Sequence, residues 1–151
     1  MPRKSTHLTA GSASGAVVGL LTCRSLPQEH QLVHVAFATI GGALGGLAPD
    51  VLEPAISPNH RSLFHSLAAG GGIGAAALAE WQADCHRAAA ACDTRASCAP
   101  PDSRERSNEE NKAFLWRALA GLIVGFLAGY ASHLLMDAGT RKSLPLIVDG
   151  F

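Results

Sequence analysis

The stretch GLIVGFLAGYASHLLMD, residues 121–137, runs without a charged side chain until its last residue and places His133 one helical turn before Asp137. Extended upstream, residues 113–136 hold Arg117 near one end and His133 near the other as their only strongly polar side chains. A helix on the surface of a soluble bundle would show a polar face at helical spacing. This one is apolar all round, and the run 115–136 meets the ~20 residues that a helix needs to cross a bilayer. Gly121, Gly125 and Gly129 recur every four residues in the register of His133 and Asp137. Small residues at that spacing let helix backbones approach closely in membranes, so the stripe predicts a helix contact that runs into two polar side chains.

Working outward, charge is also sparse in residues 8–23, 32–48 and 63–81, which predicts about four helices in a compact all-α membrane bundle spanning 1–151 as a single domain. Gly11, Gly15 and Gly19 share the register of His7, and Gly42 and Gly46 share that of Asp50. Four residues advance about 400° on an ideal helix, so each stripe drifts by about 40° per step while neighbouring members keep one face. A chain crossing four times would bring His7, the 50–65 connection and the His133/Asp137 pair to the same side. Basic residues are spread over both sets of connections and do not set an orientation.

Residues 82–112 read as a polar loop insertion, with Pro100-Pro101 and mixed charges from Asp102 to Lys112. Cys23, Cys85, Cys92 and Cys98 follow no CxxC spacing, and they read as reduced thiols of a chain in contact with the cytosol. Lys+Arg and Asp+Glu number twelve each, and no basic stripe is interleaved with aromatics, which argues against nucleic-acid binding.

The chemistry concentrates in the second connection. Pro49-Asp50 and Glu53-Pro54 are followed by HRSLFHS at residues 60–66. Two carboxylates and two histidines in a Pro-rich segment that should not continue as helix are expensive beside lipid without a function. With His7 and the His133/Asp137 pair, the candidate metal ligands are His7, Asp50, His60, His65, His133 and Asp137. Imidazoles with carboxylates and no thiolate suit zinc or manganese. Glu53 is the candidate general base, Arg61 either pairs with a phosphate or holds a carboxylate, and Ser66 reads as a cap or supporting donor.

His7 with Gly11, GGLAPD at residues 45–50, HRSLFHS at 60–66 and GYASHLLMD at 129–137 resemble the bacterial inner-membrane metal-dependent hydrolases, also described as LexA-binding, inner-membrane-associated hydrolases. Glu53 stands where many members carry Asp in a Pro-Asp-x-Asp pattern. The resemblance implies a multi-pass protein of the bacterial inner membrane, a divalent metal, and a distant likeness to the all-helical zinc phospholipase C and nuclease folds. The expected activity is hydrolysis of a phosphoester at the membrane surface, with membrane lipid as the surrounding partner. The competing readings are a non-catalytic membrane protein with a structural metal and a partner-binding 82–112 loop, and an ion pathway through the buried histidines. His30 and His34 read as ordinary helix or loop residues.

Overall fold

The structure is a computed structural model, and it describes residues 4–52 and 74–138. These form an all-α bundle: α1 (Lys4–Thr22), a 3-10 turn (Cys23–Ser25), α2 (Gln28–Leu52), α3 (Gly74–Cys98) and α4 (Arg104–Ala138). Among the described residues there is no strand.

The glycine stripes lie where helices meet. Gly11 and Gly42 face each other so closely that a Cβ on Gly11 would sit 2.3 Å from the Gly42 carbonyl oxygen, and one on Gly42 would sit 2.2 Å from that of Gly11. On α4, a Cβ on Gly121, Gly125 or Gly129 would meet the carbonyl oxygens of His34, Ala38 and Gly42 at 2.4, 1.9 and 2.0 Å. The sequence pattern singled out one stripe on α2, but the helix carries two. Gly42 and Gly46 face α1, whereas Gly41 and Gly45 would place a Cβ 2.1 Å from the carbonyls of Leu122 and Phe126 on α4. Paired glycines thus let α2 touch two neighbours backbone to backbone. The contacts advance in the same direction along α2 and α4, so these helices run parallel, while α1 runs antiparallel to α2.

Two expectations are corrected. Pro49 does not end α2: it lies inside the helix and is buried, so Asp50 belongs to the last turn rather than to a loop. A proline there costs one ladder bond with three helical residues left to support, far less than in a helix centre. Residues 82–112 are not a loop insertion. They are the end of α3 and the start of α4, joined by a turn at 99–103. Cys85, Ala89, Cys92 and Ala96 recur at helical spacing and are all buried, while the mixed charges pair along the helix, Arg106–Glu110 at the surface at 2.9 Å and exposed Lys112 with buried Glu109 at 2.6 Å. The turn begins at Pro100, places Asp102 at φ 59°, and ends where the Ser103 hydroxyl accepts the Arg106 amide hydrogen at 3.1 Å, capping α4.

Polar side chains are buried among small apolar ones, while many large apolar side chains face outward. The largest fully buried side chains are His7, His34, His133, Asp137, Pro49, Cys85 and Cys92, whereas Leu20, Leu21, Leu32, Ile40, Leu44, Phe114, Leu115 and Leu135 are exposed. Apolar groups outside and small or polar groups inside is the distribution that lipid, not water, rewards. Among the described residues, α2 and α4 are the helices long and apolar enough to cross a membrane. α2 reaches that length because it extends on both sides of its apolar segment. α3 carries exposed Glu80, Asp84 and Arg87 on its outer face.

Candidate metal centre

His7 on the second turn of α1, Asp50 on the last turn of α2, and His133 and Asp137 near the end of α4 meet at one end of the bundle. Each is delivered by a glycine seam. A Cβ on Gly46 would lie 2.5 Å from the carbonyl oxygen of His7, which brings the start of α1 against the end of α2. His133 follows Gly129 by one turn and lies across from Gly46, whose carbonyl oxygen is 2.7 Å from His133 Nδ1. A carbonyl only accepts, so Nδ1 carries the hydrogen and Nε2 is turned toward the cluster.

That nitrogen lies 3.8 Å from Asp50 Oδ1 and 3.8 Å from Asp137 Oδ2. His7 Nε2 lies 3.8 Å from Asp137 Oδ1, so the Asp137 carboxylate faces both imidazoles, one through each oxygen. The two rings stack with centroids 4.0 Å apart. His7, His133 and Asp137 are at most 2% exposed, and Asp50 forms the more open side of the cluster.

These separations decide what the arrangement can hold. Charge-assisted N–H···O bonds close to about 2.7–2.9 Å, so 3.8 Å is not that contact. It is a span that two metal–ligand bonds of about 2.0–2.1 Å can bridge through a shared ion. One ligand atom from each of His7, Asp50 and His133 lies within 4.8 Å of the others, the grouping expected of a divalent-cation site. Charge agrees with this. Two carboxylates and two neutral imidazoles balance one divalent cation, whereas two stacked imidazoliums at this distance would repel by about 4 kcal/mol at an effective dielectric of 20. The donor set therefore fits zinc or manganese.

Of the ligands anticipated from sequence, His7, Asp50, His133 and Asp137 come together. His60, His65, Glu53, Arg61 and Ser66 lie outside the described residues. Sequence reasoning passed over His34, which is fully buried at the other end of the bundle. Its Nε2 lies 3.0 Å from the Thr22 hydroxyl of α1, and its ring centroid lies 5.6 Å from that of His86 on α3. Both partners come from other helices, so spacing along α2 held no sign of them. The signal that could have found it is register: His34 precedes Ala38, Gly41 and Gly42 on the face that α2 buries.

The sequence profile of the YdjM inner membrane protein family matches residues 1–148, and the chain belongs to that family. No curated protein and no solved structure matches it significantly.

Proposed function

We propose that this YdjM-family inner membrane protein is a multi-pass enzyme that holds a divalent ion, zinc or manganese, among His7, Asp50, His133 and Asp137 and hydrolyses a phosphoester at the membrane surface. The observation that carries this reading is the convergence of two imidazoles and two carboxylates from α1, α2 and α4 at one buried point, with Nε2–carboxylate separations of 3.8 Å. α2 and α4 would be two of the crossings, with the chain returning between these parallel helices, which puts the cluster at helix ends, level with lipid headgroups.

When bound, such an ion lowers the pKa of water to about 7 and polarises a phosphoryl oxygen. The chain's own groups supply the rest. The Gly46 carbonyl fixes the tautomer of His133, the kind of supporting contact that orients a metal-binding histidine. Asp137 holds His7 and His133 in a common frame. Glu53 directly follows the end of α2 and is the proposed acceptor of the proton from the attacking water. Arg61 is the proposed partner of the substrate phosphate, with His60 and His65 as further ligands from the same segment.

The non-catalytic reading gives the ion a structural role and residues 82–112 a partner-binding one. The glycine seams supply backbone contact among α1, α2 and α4 away from the cluster, and residues 82–112 are helix on both sides of the 99–103 turn. The ion-pathway reading finds less support still, because the same seams fill the space between the two histidine layers with backbone.

Elemental analysis of detergent-purified protein tests the proposal. Wild type should carry roughly stoichiometric zinc or manganese, and both Asp137→Ala and His65→Ala should lose it with helix content unchanged. The loaded wild type should cleave a chromogenic phosphodiester that neither variant cleaves. Wild-type protein that stays free of transition metal after reloading would overturn the reading, and variants that unfold on losing metal would favour the structural role.

A further inference from the structure

The end of the bundle opposite the metal cluster is also built around polar groups. Sixteen residues separate His34 from Asp50 and Arg117 from His133, a rise of roughly 24 Å along helix. This second layer therefore sits near the other headgroup level if α2 and α4 cross the bilayer. Arg117 is only 6% exposed. It donates from Nη2 to Asp93 of α3, whose side chain remains half-exposed.

A cleft of about 450 Å³ opens beside this pair. Arg117, Asp93, His86 and Ser25 form its polar part, and Leu26, Pro27 and three alanines of α3 form its apolar part. A guanidinium has five N–H donors in a planar fork, and the contact with Asp93 engages one nitrogen. Burial, and after it the nearby Arg117, pushes the His86 imidazole below its ordinary range, and Arg117 is the cationic group that lines the cleft. The buried His34 ring backs His86 from behind.

We propose that this cleft binds a phosphate group borne on an apolar body, with Arg117 and His86 as its donors and the Leu26–Pro27 turn against the apolar part. Bidentate capture of phosphate is the task for which guanidinium geometry is suited. The cleft's volume and its apolar wall fit a phospholipid headgroup with its glycerol, whereas free inorganic phosphate would leave that wall unused. Asp93 holds the guanidinium in place and competes with the ligand for it.

The test is a titration of full-length Trp81→Phe protein in neutral detergent, followed by the fluorescence of Trp116, the neighbour of Arg117. The probes are dihexanoyl-phosphatidylglycerol and inorganic phosphate. Saturable binding of the lipid, at least about tenfold tighter than of phosphate, is expected, as is about tenfold or greater weakening in Arg117→Gln and a smaller weakening in His86→Gln. Asp93→Asn should tighten binding, a result that a purely structural role for the pair does not produce. Asp137→Ala should bind as wild type does, which separates this cleft from the metal cluster. Equal affinity for phosphate would reassign the ligand to a free phosphate and overturn the lipid assignment. No saturable binding of either probe, or unchanged binding in His86→Gln together with unchanged or weaker binding in Asp93→Asn, would overturn the site itself.

Discussion

The two halves of the bundle are joined by different means. α2 meets α1 and α4 at glycines, so that backbone touches backbone at those positions. α3 meets α4 through small side chains, with Cys85 against Ala120 and Ile123, and is tied by Asp93–Arg117 and by Arg95–Glu109 at 2.7 Å. The first kind of seam has no slack. A single methyl group must push two helices apart, and the ends of those helices carry His7, Asp50, His133 and Asp137. The second kind has rotatable groups and exposed charges that can adjust. Catalytic or metal-binding geometry belongs on the stiffer seam, where a 3.8 Å spacing can be held.

Substitutions can break or sharpen this contrast. The largest effect is expected from Gly125→Ala, because the new Cβ would lie 1.9 Å from the Ala38 carbonyl oxygen. Overpacking of a rigid contact costs about 3 kcal/mol or more when the backbone cannot yield, and His133 two turns away should lose its alignment. A thermal melt in detergent combined with metal content would show both losses together. A variant that melted like wild type would mean that the glycine seam has slack.

An intermediate effect is expected from Cys92→Ala on the other seam. That thiol is 2% exposed and accepts a hydrogen bond from Arg95 at 3.0 Å. Removing one buried atom should cost about 1 kcal/mol, seen as a small drop in melting temperature with metal content intact. Loss of metal here would show that the two seams are coupled. The smallest effect belongs to Arg87→Ala, which breaks only the exposed i,i+3 pair with Asp84. Its cost should stay below about 0.5 kcal/mol. A larger shift in the melt would mean that α3's outer face is covered in the native membrane.

Much of the functional end could be read from the chain alone, because it depends on local register. A residue four or eight positions beyond a glycine stripe shares its face, so His7, Asp50, His133 and Asp137 could be expected to meet once the glycines were taken as contacts. α3 was misread for an equally physical reason. Its buried stripe is alanine and cysteine, which carry little hydropathy signal, and its charges resemble those of a loop until their i,i+3 and i,i+4 partners are seen. Gly41 and Gly45 went unnoticed because a second glycine face has meaning only when a second helix packs on it.

The sequence by itself determined the all-α class, the apolar character of the final helix and the register that aims His7, Asp50, His133 and Asp137 toward helix contacts. These follow from hydrophobic period and residue size, both local properties. Only the tertiary structure decided that α2 is packed on two sides, that Pro49 stays within helix, and that His34, His86 and Arg117 share a second polar layer. Each of these depends on which helices are neighbours and at what height, and those relations join residues far apart in the chain that no local spacing relates.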